Sequence, residues 1–144
     1  MAKNGENKLC GYGLALLRVV LGVILTYHGY LKLFTTGPTG FKATVTFFAA
    51  VGLPLPLYSA LLVAVLEFAG GLLLILGLLT RWSSMLLFIQ MLVALAVVHA
   101  KNGFMVGVGG YEYVLLILAS LFAVFACGAG KLAAGSSLKN RQLK

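Results

Sequence analysis

The sequence predicts an all-α integral membrane protein: an antiparallel four-helix bundle, with a short interfacial helix in the first outer loop. Three observations predict it. Of 144 residues, 61% are hydrophobic and only 10% charged, far from the roughly 45–50% apolar and 25% charged of soluble domains. Mean hydropathy is +1.04. Four apolar runs, residues 12–34, 57–79, 82–99 and 111–127, each approach the roughly 20 residues needed to cross a hydrocarbon layer. Four spans leave little chain for a soluble module, so residues 1–144 read as one membrane domain.

The first run is too long for a cleavable signal peptide, holds Arg18 inside it and lacks a small-residue cleavage site. The link 35–56 carries Phe41, Val45 and Phe48 at i, i+4, i+7 before Gly52, Pro54 and Pro56. That pattern fits a short interfacial or re-entrant helix, or a loop resting on lipid. Thr80, Arg81 and Trp82 form a short turn that pairs the second and third spans as a hairpin. The link 101–110 holds Gly103, Gly107, Gly109 and Gly110 around Phe104 and Met105. The fourth run opens on Tyr111 and Glu112.

Net charge is +8, but its distribution argues against nucleic acid. Lys3, Lys8, Arg81, Lys131, Lys139, Arg141 and Lys144 fall on one side of the bundle, and Lys32, Lys42 and Lys101 on the other. Lys and Arg bias sets orientation, so both termini are placed in the cytoplasm of a bacterial inner-membrane protein. The basic tail 138–144 then lies against anionic headgroups. Cys10 and Cys127 fall on the same reducing side, which disfavours a structural disulfide. Residues 128–131 resemble the end of a phosphate loop, but Phe125 and Leu132 occupy its required Gly and Ser/Thr positions. No spacing of metal ligands is visible.

An ionisable side chain in hydrocarbon costs at least a few kcal/mol unless paired or wetted, so each one marks a candidate site. Those candidates are Arg18, His28, Lys32, Glu67, Gln90, His99, Tyr111 and Glu112. On an ideal helix Arg18, Gly22, Gly29 and Lys32 share one face, and small residues let membrane helices approach. Gly70 and Gly71 follow Glu67, and Ala119 and Ala123 follow Glu112, giving two further packing stripes. At 1.5 Å per residue Arg18 and Glu67 are separated axially by about 6 Å, which predicts an Arg18–Glu67 pair with Gln90 nearby. His28, Lys32 and Glu112 form a second cluster toward the outer face, with Tyr27, Tyr111 and Tyr113. His99 lies about 180° from Gln90 on an unkinked helix. It either faces out or is swung inward by a bend. A buried Arg–Glu pair also serves as a registry device without chemistry.

The blocks Leu17-Arg18-Val19-Val20-Leu21-Gly22, Tyr27-His28-Gly29-Tyr30-Leu31-Lys32-Leu33-Phe34, Gly52-Leu53-Pro54 and Glu67-Phe68-Ala69-Gly70-Gly71 resemble those of the DoxX family. So do Leu78-Leu79-Thr80-Arg81, His99 to Phe104, Gly110-Tyr111-Glu112-Tyr113 and Gly128-Ala129-Gly130-Lys131. The resemblance implies a four-helix membrane protein. Its kin include a thiosulfate:quinone oxidoreductase subunit, a mycobacterial membrane component joining superoxide dismutase to a sulfurtransferase, bacillar proteins tied to catechol and quinone stress, and eukaryotic cargo receptors and receptor-assembly chaperones.

Two functions follow, with transport a weaker third. The first is a subunit that binds a quinone-like or aromatic molecule in the polar interior and supports redox or detoxification chemistry with a partner protein. Quinone oxygens need donors such as Arg18, His28 or Lys32, and quinol deprotonation needs a base such as His28 or Glu112. A quinone is the one cofactor this chemistry suggests. The second is a non-catalytic scaffold that assembles partner proteins, compatible with a homo-oligomer in the bilayer. Proton or small-solute transport requires more than four short helices without an inverted repeat.

Overall fold

In the computed structural model residues 2–135 are described, with side chains from residue 8 onward. The expected contact of tail 138–144 with headgroups lies outside the described residues. Five α-helices follow one another: α1 (Ala2–Phe34), α2 (Phe41–Ala50), α3 (Pro56–Leu76), α4 (Thr80–Ala94) and α5 (Glu112–Cys127). No strand occurs among the described residues.

Local chemistry explains the boundaries. Proline at the first position starts α3, where its missing N–H costs nothing. Gly77, at φ +71°, ends it. There the Leu78 amide bonds the Leu73 carbonyl and the Gly77 amide bonds Leu74, a Schellman closure that needs left-handed backbone. The turn therefore spans residues 77–79, and Thr80, expected in the turn, already begins α4. α4 passes into a π turn at Leu95–His99 and a 3₁₀ turn at Ala100–Asn102.

Three segments are long and apolar enough to cross a bilayer: Lys8–Phe34, Pro56–Leu76 and Thr80–Asn102. α5 has 16 residues, about 24 Å at 1.5 Å per residue, short of the ~30 Å hydrocarbon layer. The surface is itself apolar. Leu16, Leu62, Trp82, Ile89, Leu116 and Phe122 are all more than half exposed, a pattern suited to lipid rather than water.

A single apolar core joins four helices: Leu21 and Leu25 of α1, Leu74 of α3, Leu87 and Met91 of α4, and Val114, Ile117, Leu118, Leu121 and Val124 of α5. The tightest seam is α1 on α3. A Cβ at Gly29 would lie 2.3 Å from the Phe68 nitrogen, and one at Gly22 would lie 2.7 Å from the Gly71 carbonyl oxygen. Glycine is required there because backbone meets backbone. Gly70 faces Leu87 of α4 instead. α5 departs from expectation: Ala119 is exposed and Ala123 only half-buried. Its buried face carries large aliphatic side chains, so volume filling rather than close backbone approach holds it.

Candidate functional site

The glycine seam fixes the register of α1 against α3, and register decides which polar groups meet. Gly22 lies beside Gly71, and Gly29 beside Ala64 and Phe68. In this antiparallel pairing Arg18 is level with the end of α3, about ten residues or 15 Å beyond Glu67. The Arg18–Glu67 pair expected from separate depth estimates is therefore not formed. Arg18, 1% exposed, donates instead through Nη1 to the carbonyls of Leu74 and Ile75, the latter at 3.0 Å. Its Nη2 donates to the Leu132 carbonyl at 3.3 Å. The last carbonyls of a helix lack intrahelical donors and carry partial negative charge. Arg18 satisfies that terminus and fastens the segment after α5 to it. The neighbouring bonds Lys131 N–H to Gly11 and Gly135 N–H to Gly77 complete this closure.

Glu67, 4% exposed, sits midway along α3. Its Oε2 pairs with Lys32 Nζ of α1, and its Oε1 accepts from Gln90 Nε2 of α4 at 2.9 Å. Three helices thus place one cation, one anion and one amide in contact, with the charges cancelling. Lys32 was expected beside Glu112; the α1–α3 register gives it to Glu67. Because the Gln90 amide nitrogen is held by a carboxylate, its orientation is fixed by chemistry. Gln90 Oε1 is left buried with no donor.

Beside this trio lies a cleft of about 530 Å³. Leu62, Val63 and Leu66 of α3, Ile89, Met91 and Val93 of α4, and Phe47 and Phe48 of α2 make its walls mostly apolar. Lys32, Glu67 and Gln90 reach it, together with His28, His99 and Tyr113. Apolar walls with a few convergent polar groups are the usual architecture of a small-molecule site. His28 is exposed and within electrostatic reach of Lys32 and Glu67.

His99 resolves as the bent alternative. The π turn Leu95–His99 adds a residue to the helical repeat and turns His99 to the same cleft that Gln90 lines. Its Nδ1 lies 2.8 Å from the Gly109 carbonyl, so Nδ1 carries the hydrogen, and a neutral ring keeps its lone pair on Nε2. Asn102 donates to the same carbonyl at 3.2 Å. Glu112 does not join the cleft trio. Its Oε1 accepts the Val106 amide at 2.9 Å, organising the glycine-rich loop. Tyr111 stacks edge-on against Phe104 at 5.5 Å in that loop, and Tyr113, two residues on, lines the cleft instead.

Sequence reasoning missed Phe47 and Asn102 as contributors, whereas Tyr113, expected near His28 and Lys32, does line the cleft with them. Asn102 had a readable signal, three residues after His99 on the same turn. Phe47 had none, since the apolar stripe of α2 points to Phe48. Among the described residues no cluster of metal-ligating side chains occurs.

An all-helical chain with three bilayer-length apolar helices and a Lys–Glu–Gln trio held between them is a membrane helical protein. The DoxX family profile matches residues 13–100, and the chain belongs to that family, as a multi-pass membrane protein. It is 35% identical over 111 residues, 77% of each chain, to a Bacillus subtilis (strain 168) protein named "Putative oxidoreductase CatD". It is also 35% identical over 133 residues to an uncharacterized Haemophilus influenzae protein, covering 88% of this chain and 91% of that one. No solved structure matches the chain.

Proposed function

We propose that this protein binds a quinone-like or aromatic small molecule in the α2–α3–α4 cleft and supports redox or detoxification chemistry with a partner protein. The observation that carries this reading is the Lys32–Glu67–Gln90 trio at the base of an apolar-walled cleft of about 530 Å³. Such a cleft suits a flat lipophilic ring with oxygen substituents. Lys32 has ammonium hydrogens beyond the one given to Glu67 and donates to a ring carbonyl. Gln90 Oε1 accepts from a ring hydroxyl. His99, with Nε2 as its free lone pair, takes up a proton when a hydroxyl is oxidised. The ring itself supplies the electron chemistry, and electrons pass to or from a partner redox protein. The name of the Bacillus subtilis relative supports an oxidoreductase connection.

In this reading α1, α3, α4 and α5 form a four-helix bundle in the bacterial inner membrane, and α2 lies at the outer interface over the cleft. Both termini are cytoplasmic, in keeping with the Lys and Arg asymmetry.

Calorimetry on the protein in lipid nanodiscs, titrated with decylubiquinone and a short-chain menaquinone, tests the proposal. Saturable binding that Glu67→Gln and Lys32→Met both weaken is expected. Absence of binding by either quinone refutes it.

A further inference from the structure

We propose that the cleft opens sideways into the acyl-chain layer between α3 and α4, so its ligand is an uncharged molecule taken from the bilayer rather than from water. The ligand's redox character rests on the functional reading above; the opening rests on geometry alone.

Two helices joined by the tight turn at residues 77–79 touch near that turn, where Gly70 admits Leu87. Farther from it both helices line the cleft: Leu62 and Leu66 on α3, Ile89 and Val93 on α4. Leu62 is 59% exposed and Ile89 52%, so the mouth between them is rimmed by aliphatic side chains at the depth of two bilayer-length helices. The end away from the turn is flanked by α2. Phe48, buried on α2, lines the cleft with Leu53 and Pro54, and His99 is bonded to the loop that follows it. A water-soluble solute approaching from that end meets α2, whereas a lipid-dissolved molecule meets an apolar mouth.

Charge gives the same answer. Lys32 is neutralised by Glu67, so the polar base offers no net positive charge. An inorganic anion would have to be desolvated without compensation. A neutral amphiphile keeps its apolar body against the walls and gives its hydroxyl or carbonyl to the trio.

The test uses full-length protein in nanodiscs made from phosphatidylcholine bearing a diazirine midway along one acyl chain, irradiated and mapped by mass spectrometry. Adducts are expected on Glu67 and on the Ile89–Val93 stretch, and saturating decylubiquinone should abolish them while leaving those on outward-facing Leu72 and Leu116. Thiosulfate should leave all adducts unchanged. Paired Leu62→Trp and Ile89→Trp substitutions should slow decylubiquinone association, and Leu72→Trp should not. Labelling confined to the outward faces overturns the sideways opening even if calorimetry shows quinone binding. Labelled cleft residues in a protein that binds no quinone uphold the opening and defeat only the functional reading. Protection by thiosulfate overturns the selection for uncharged ligands.

Discussion

Arg18 and the Lys32–Glu67–Gln90 trio are both ionised groups buried in apolar helices, yet they serve different ends. Arg18 spends its Nη1 and Nη2 donors on backbone carbonyls of α3 and of the segment after α5, with Nε buried away from the cleft and unpartnered. The trio bonds side chain to side chain, borders a cleft, and leaves one buried acceptor unpartnered. Burial of charge in a membrane helix thus marks importance without saying which kind. The partner decides: backbone at a helix end means closure of the fold, and side chains beside a cavity mean a site with capacity left for a ligand.

The largest expected effect separates the two regions most directly. Arg18→Met strips donors from three carbonyls and should cost about 3 kcal/mol of stability, read as a lowered Tm in detergent. Decylubiquinone affinity of the folded fraction should stay close to the parent value. Arg18→Lys should fail to rescue, because a point ammonium cannot reproduce the guanidinium fork. A strong affinity loss in a folded, thermally unchanged Arg18→Met protein would erase the distinction drawn here.

The converse change comes next. Glu67→Gln should weaken decylubiquinone binding by about tenfold, corresponding to roughly 1.4 kcal/mol, with a smaller drop in Tm. Lys32→Met leaves a buried carboxylate unpaired and should destabilise more than Glu67→Gln, since Lys32 is the more exposed partner. Replacing both by apolar residues should restore Tm toward the parent, as is usual when a buried pair is removed together. A double variant less stable than either single would show that the pair contributes net stability.

Gly29→Val probes the seam that sets both regions in register. Its Cβ would meet Phe68 backbone, and overpacking of this kind costs about 1–3 kcal/mol. Tm and quinone affinity should fall together, because α1 carries Lys32. Gly13→Ala, with open space around its Cβ, is the matched control and should change neither.

The smallest effect belongs to the loop. His99→Phe removes one hydrogen bond to Gly109, worth about 1 kcal/mol, and should speed hydrogen exchange at the amides of Gly110 and Tyr111. Unchanged exchange would show that Asn102 holds the loop by itself.

Much of this was readable in advance. Composition and run length give an all-helical membrane protein, since 61% apolar residues in bilayer-length stretches have no stable aqueous fold. Helical periodicity gives the Arg18–Gly22–Gly29–Lys32 face, because the 3.6-residue repeat is local. It also singles out Glu67 and Gln90 as costly residues within apolar helices. What a single helix could not give was the pairing. Arg18 and Lys32 share a face, and only the backbone contact of Gly22 with Gly71 and Gly29 with Phe68 decides which one meets Glu67. The side of α4 that His99 occupies depends on one π turn, a local change in hydrogen bonding that leaves no mark in hydropathy. The alanines of α5 read as a seam, but Ala119 is exposed and Ala123 only half-buried, because the buried face of α5 is filled by aliphatic volume. Periodicity and cost of burial are properties of the chain itself; register, the cleft and its mouth arise only when helices distant in sequence come to rest against one another.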